Sequence, residues 1–170
     1  MYAKFPLEQI CSHSDQPFQL AFARSAKDIV RDREDCYLQA TGSGLLILGE
    51  TEEAVSHPVT LLKQTFGDRL RLGKLTVRYR KRALVEEPHM GLRISCPLRY
   101  AHAVRSNLDA RGAVRISTAD ERSFAVIKAS APLVSLLGYS DFLTRLTEGT
   151  GRVVMWLSHY APAPSGDDAA

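Results

Sequence analysis

One order of elements occurs twice within 170 residues, and it limits the fold more than any motif does. Apolar periodicity and turn residues read strand, helix, strand, strand, helix, strand over the first half. The same six-element order follows over the second half. There is no residue-level repeat, so the recurrence is one of architecture.

In the first half, "AKFPLEQIC" (3–11) reads as a strand whose proline suggests an edge or an end. Ser14 or Asp15 would cap a helix with Pro17 in its first turn, and Phe18, Phe22, Ala26 and Ile29 recur at helical spacing. "CYLQATGSGLLILGE" reads as a hairpin around Gly42-Ser43-Gly44. "EEAVSHPVTLLKQTFG" reads as a helix broken or restarted near Pro58. "LRLGKLTVRYR" closes the unit as a strand with Leu75, Val77 and Tyr79 on one side. In the second half "HMGLRISC" is a strand, and "PLRYAHAVRSNLDARG" is a helix with Pro97 at its start and Gly112 past its end. A hairpin follows around Asp120-Glu121, then a helical region opened by Pro132 and interrupted at Gly138, then "RVVMWLSHY". The expected fold class is α+β: two tandem ferredoxin-like domains (split βαβ, βαββαβ) with antiparallel sheets, over 1–84 and 87–164. Residues 165–170 are expected to form a disordered tail.

An apolar fraction of 45% supports a buried core. No run of about 18 apolar residues could span a membrane, and the N-terminus lacks a signal-peptide pattern, so a cytoplasmic protein is expected. Cys11, Cys36 and Cys96 are far apart and form no C-x-x-C, so buried reduced thiols are expected rather than a disulfide or metal site. The net charge of +3 is uneven. Residues 1–84 carry 13 Lys/Arg against 10 Asp/Glu, and residues 85–170 carry 9 against 9.

Catalytic chemistry finds no support. "GDRLRLGK" (67–74) has five residues between its glycines instead of four, Leu75 in place of Ser or Thr, and a strand where a helix should begin. No nucleotide is expected to bind this chain. Ser43 sits in a hairpin, not a nucleophile elbow. His13, His57, His89, His102 and His159 form no i,i+4 pair. No cofactor and no metal is expected. Two surface features remain. Period two puts Lys74, Thr76, Arg78, Arg80 and Arg82 opposite Leu75, Val77 and Tyr79, which makes either a phosphate-contacting or a solvated face. On the last strand Val154 and Trp156 lie opposite Val153, Met155 and Leu157, and an apolar second face needs a cover. An interface between the two domains through Val154 and Trp156 is expected.

These residues carry a resemblance. Glu87-Pro88, Pro97, Tyr100, "NLDARG" (107–112), Pro132-Leu133, Gly138-Tyr139, Leu143, "LTEGTG" (146–151) and "HYAPAP" (159–164) occur in the order and spacing of the fifth domain of translation elongation factor G. The first half is similar to the third domain of that factor, through Gly49-Glu50, Phe66-Gly67 and "GKLTVRYR" (73–80). The family's acidic-histidine signature after Gly-Glu is replaced here by Thr51, Glu52 and Glu53. "RALVEE" stands where a whole fourth domain lies in the family, and the GTPase domain and barrel that precede the third domain are missing. The resemblance implies a translation-related module that is not itself an enzyme. It would bind large-subunit ribosomal RNA, a ribosomal protein or a GTPase partner. RNA phosphates would be met by Arg78, Arg80, Lys81 and Arg82, with Arg99, Arg105 and Arg111 around the helix after Pro97. The alternative is a repurposed tandem module that binds a protein or a small ligand.

Overall fold

A computed structural model describes residues 4–164. The chain separates into two compact units, Met1–Arg78 and Tyr79–Ala170.

The first unit runs β1 (Leu7–His13), α1 (Gln19–Val30), β2 (Cys36–Thr41), β3 (Gly44–Gly49), α2 (Glu52–Phe66), β4 (Leu70–Leu72) and β5 (Thr76–Val77). Its sheet has the order β2-β3-β1-β4, and every pairing is antiparallel. Odd positions of β1 turn inward, burying Leu7, Cys11 and His13. Phe22, Ala23 and Ala26 of α1 and Val55 and Leu62 of α2 complete that core. His13 belongs to an aromatic cluster, with its ring centroid 5.6 Å from Phe22 and 5.8 Å from Phe66.

Of the two readings of Pro6, the end holds and the edge does not: Pro6 precedes β1, and the strand lies between β3 and β4. Two expectations are corrected here. Ser14 and Asp15 do not cap α1, because the Ser14 hydroxyl donates to Asp15. The Gln19 side chain closes the loop instead, accepting from the His13 amide and donating to the His13 and Gln16 carbonyls. The helix therefore starts later, and Phe18 is left 77% exposed. α2 continues through Pro58 as one helix, with Pro58 buried on its inner side.

The second unit runs β6 (Arg80–Lys81), β7 (Val85–Pro97), α3 (Leu98–Ala110), β8 (Val114–Glu121), β9 (Phe124–Pro132), α4 (Leu133–Leu136), α5 (Tyr139–Leu146) and β10 (Arg152–Pro162). Its antiparallel sheet has the order β10-β7-β9-β8. Met90, Leu92, Ile94 and Cys96 of β7 bury under Val104 and Leu108 of α3 and Tyr139 and Leu143 of α5. Gly112 (φ +73°) stops α3 where the sequence expects it, and Gly138 (φ +73°) divides α4 from α5. The hairpin turn falls at Arg122-Ser123, two residues later than expected.

Each sheet repeats the strand order 4-1-3-2 with helices on one face. The molecule is α+β, built of tandem ferredoxin-like units. The stretch Lys74–Arg82 is not one strand. Thr76-Val77 pairs with β1 of the first sheet, whereas Arg80-Lys81 pairs with Glu86 and Val85 of β7 in the second. The division between units accordingly falls at Arg78/Tyr79, ahead of the 84–87 boundary expected from the sequence.

Candidate functional site

The split of Lys74–Arg82 takes apart the single basic face expected there. Arg78 is bound within the first unit. Its amide donates to the Pro6 carbonyl at 2.8 Å, its Nη1 donates to the Phe5 carbonyl at 2.9 Å, and its Nε lies 3.2 Å from Glu8 Oε2. Arg80 belongs to the second sheet, where its guanidinium stacks 3.5 Å from the centre of the Tyr160 ring. Lys81 and Arg82 are exposed, at the start of the turn into β7.

The helix arginines also differ. Arg99 is exposed and its guanidinium lies 4.7 Å from the Tyr100 ring. Arg105 is exposed on α3. Arg111 is a structural pin: its Nε donates to Asn107 Oδ1 at 2.9 Å and its Nη1 to the Ser135 carbonyl at 2.6 Å. Its guanidinium also lies 5.1 Å from the Tyr139 ring and 5.3 Å from Phe142. Val154 and Trp156 occupy the helix-free face of the second sheet, 62% and 49% exposed.

Several groups escape a sequence-based reading. Glu87 is 6% exposed with its Oε1 3.5 Å from His89 Nε2, and the His89 ring stacks on His159 at 5.1 Å. Glu87 and His89 alternate on one strand face, and the register brings His159 opposite His89 across β10. The alternation was visible in the sequence; the pairing was not. A depression of about 470 Å³ lies beside α2, lined by Arg33, Asp35, Thr51, Glu53, His57 and Thr60 among others. Thr51, in place of the acidic-histidine signature, caps α2 by accepting from the Ala54 amide at 3.2 Å. Glu52 and Glu53 then sit at the positive end of the helix dipole.

Burial favours the protonated form of all three thiols. Desolvation pushes Cys11 up to about 12 and Cys36 up to about 11, and it raises Cys96 as well. Burial likewise pushes Tyr139 up to about 12, against the opposing charge of Arg111. Among the described residues no three His, Cys, Asp or Glu side chains converge to hold a metal ion, and no helix is long and apolar enough to cross a membrane. The Gly67–Lys74 segment forms a 3-10 turn, β4 and the start of the loop to β5; the Gly73 amide donates to the Ile10 carbonyl at 2.8 Å.

The fold and its surfaces define a tandem ferredoxin-like module with cationic patches. The family described as "Elongation factor G C-terminus" matches residues 84–168, and the chain belongs to that family. Elongation factor G 1 of Desulfotalea psychrophila is 30% identical over 81 residues, covering 48% of this chain and 12% of that protein. The elongation factors G of Aquifex pyrophilus and Mycoplasma pneumoniae are each 32% identical over 78 residues, covering 46% of this chain and 11% of theirs. The matched segment thus spans about an eighth of the curated relatives' length. A crystal structure of a Thermus thermophilus protein aligns over 94% of this chain and 41% of its own, with a TM-score of 0.65 and 15% identity, a likeness of fold alone. The chain is a translation-related module, and the region it shares with these factors is the C-terminal one, apart from their GTPase domain.

Proposed function

We propose that the chain is a non-catalytic, elongation-factor-G-like module of the cytoplasm that binds the ribosome through large-subunit RNA. A ribosomal protein or a GTPase would be the neighbouring partner. The family match over the second unit carries this reading. In it, the first unit corresponds to the third domain of the factor and the second unit to the fifth. Arg78 and Arg111 serve the fold, so the phosphate contacts fall to Lys81, Arg82, Arg99 and Arg105, all exposed. Contacts of this kind hold the backbone without reading sequence. Sedimentation with ribosomes at two salt concentrations tests the reading. Replacing those four residues with alanine lowers the salt slope by roughly 3 to 4 units, at about 0.9 per phosphate. Equal sedimentation of wild type and variant at low salt removes the patch from the account.

A second reading, a repurposed tandem module that holds a protein or small ligand, is favoured by the depression beside α2. It adjoins Thr51–Glu53, where the family signature is altered. Ribosome sedimentation that is absent at every salt concentration would favour this reading.

A further inference from the structure

The helix-free face of the second sheet carries cations that lie far apart in sequence. Register sets them in rows. Arg93 of β7 lies directly opposite Lys128 of β9, and Trp156 of β10 lies opposite Gly91, two residues from Arg93 on the same face. Arg152 lies opposite Ser95, at the next same-face position beyond Arg93. All three cations are exposed. Among the described residues none of them forms an ion pair. Like charges directly opposite one another on a sheet destabilise it, so an unscreened Arg93–Lys128 pair is a cost to the free protein that a polyanion would remove. The face's two carboxylates, Glu87 and Glu121, stand at its opposite ends.

Trp156 has a bed in this face. A β-carbon placed on Gly91 would lie 2.6 Å from Cζ2 and 2.7 Å from Nε1 of the indole. Only glycine lets the ring lie across β7, and its 49% exposure leaves ring surface open to solvent. Ser130, opposite Gly91, has a buried hydroxyl with no hydrogen-bond partner among the described residues. An open aromatic ring next to unpaired cations is the pairing that single-stranded nucleic acids use, with bases stacking on the ring and phosphates on the charges. We infer that this face binds a single-stranded RNA segment, stacking a base on Trp156 and neutralising phosphates with Arg93, Lys128 and Arg152. The inference rests on the ribosomal reading only in taking RNA as the polyanion, and it adds a surface separate from Lys81, Arg82, Arg99 and Arg105.

Trp156 is the chain's one tryptophan, so its fluorescence reports the contact directly. The full chain is titrated with a twelve-nucleotide oligouridylate at low salt. The expected result is quenching, with a salt slope of about 2 units from three phosphates at about 0.7 each on a single strand. Trp156→Ala, followed by fluorescence anisotropy of a labelled oligonucleotide, should weaken binding about tenfold or more, and Trp156→Phe should restore most of it. A triple change of Arg93, Lys128 and Arg152 to glutamine should leave the native fluorescence spectrum in place and abolish the salt slope. Equal quenching by polyglutamate would overturn base stacking. An absence of quenching, or unchanged affinity in both variants, would overturn the site. Ribosome sedimentation separates the two readings. A chain that sediments but shows no quenching keeps the ribosomal reading and loses this face; a chain that is quenched but never sediments does the reverse.

Discussion

Arg111 shows how one side chain decides between surface and structure. Its two hydrogen bonds and its place over Tyr139 tie the end of α3 to α4 and α5. Hydrogen bonds to a charged donor contribute about 2 kcal/mol, and truncation also strands the Ser135 carbonyl. Arg111→Ala should therefore lower stability by about 2 kcal/mol in urea unfolding, whereas Arg105→Ala changes it by less than about 0.5 kcal/mol. Equal costs for the two would sink the assignment of Arg111 as a pin. In the sequence, "NLDARG" offers Arg111 as one more cation near a helix end. Its spacing of four from Asn107 was readable, but the Ser135 carbonyl lies 24 residues on and comes into view only with the fold. Arg78 hides in the same way, because its partners Phe5 and Glu8 lie 70 or more residues upstream.

The legibility of the elements follows the range of the forces that shape them. Both strand–helix–strand orders, the stop at Gly112 and the break at Gly138 were readable because they rest on local periodicity and on backbone freedom at glycine. The alternating run from Lys74 to Arg82 misled, because alternation does not reveal that its two ends pair in different sheets. Arg93, Lys128 and Arg152 were invisible as a group for the same reason: only register assembles them. Capping is local, and it makes a prediction for α2. Thr51→Ala leaves the Ala54 amide without its acceptor and should cost about 1 kcal/mol, while Thr51→Ser should cost almost nothing. Chemical denaturation of the two variants side by side checks this, and an equal loss in both would show that the threonine methyl matters more than the cap.

At the scale of the whole molecule, buried acids make stability depend on alkalinity. In the unfolded chain a thiol loses its proton from its ordinary value of 9.0, but native Cys11 and Cys36 hold theirs up to about 12 and about 11. Above pH 9 the unfolded state therefore binds fewer protons than the native state, and stability falls as pH rises through this window. The loss is about 1 kcal/mol per thiol at pH 10. Thermal unfolding at pH 7, 9 and 10 should show the decline beginning above 9, with Cys11→Ala and Cys36→Ala removing part of its slope; a flat profile to pH 10 would contradict it. A different hazard lies at the rim of the second sheet. β8 is an edge strand, exposed along most of its length, and its backbone could template a stranger's strand. One extra residue between Val114 and Ser117 breaks its register, and Arg115 takes a left-handed conformation (φ +55°) there. A kink with a charge upon it guards an edge against pairing: deleting Arg115 would straighten the rim, and light scattering of a concentrated sample should then report chains adding edge to edge.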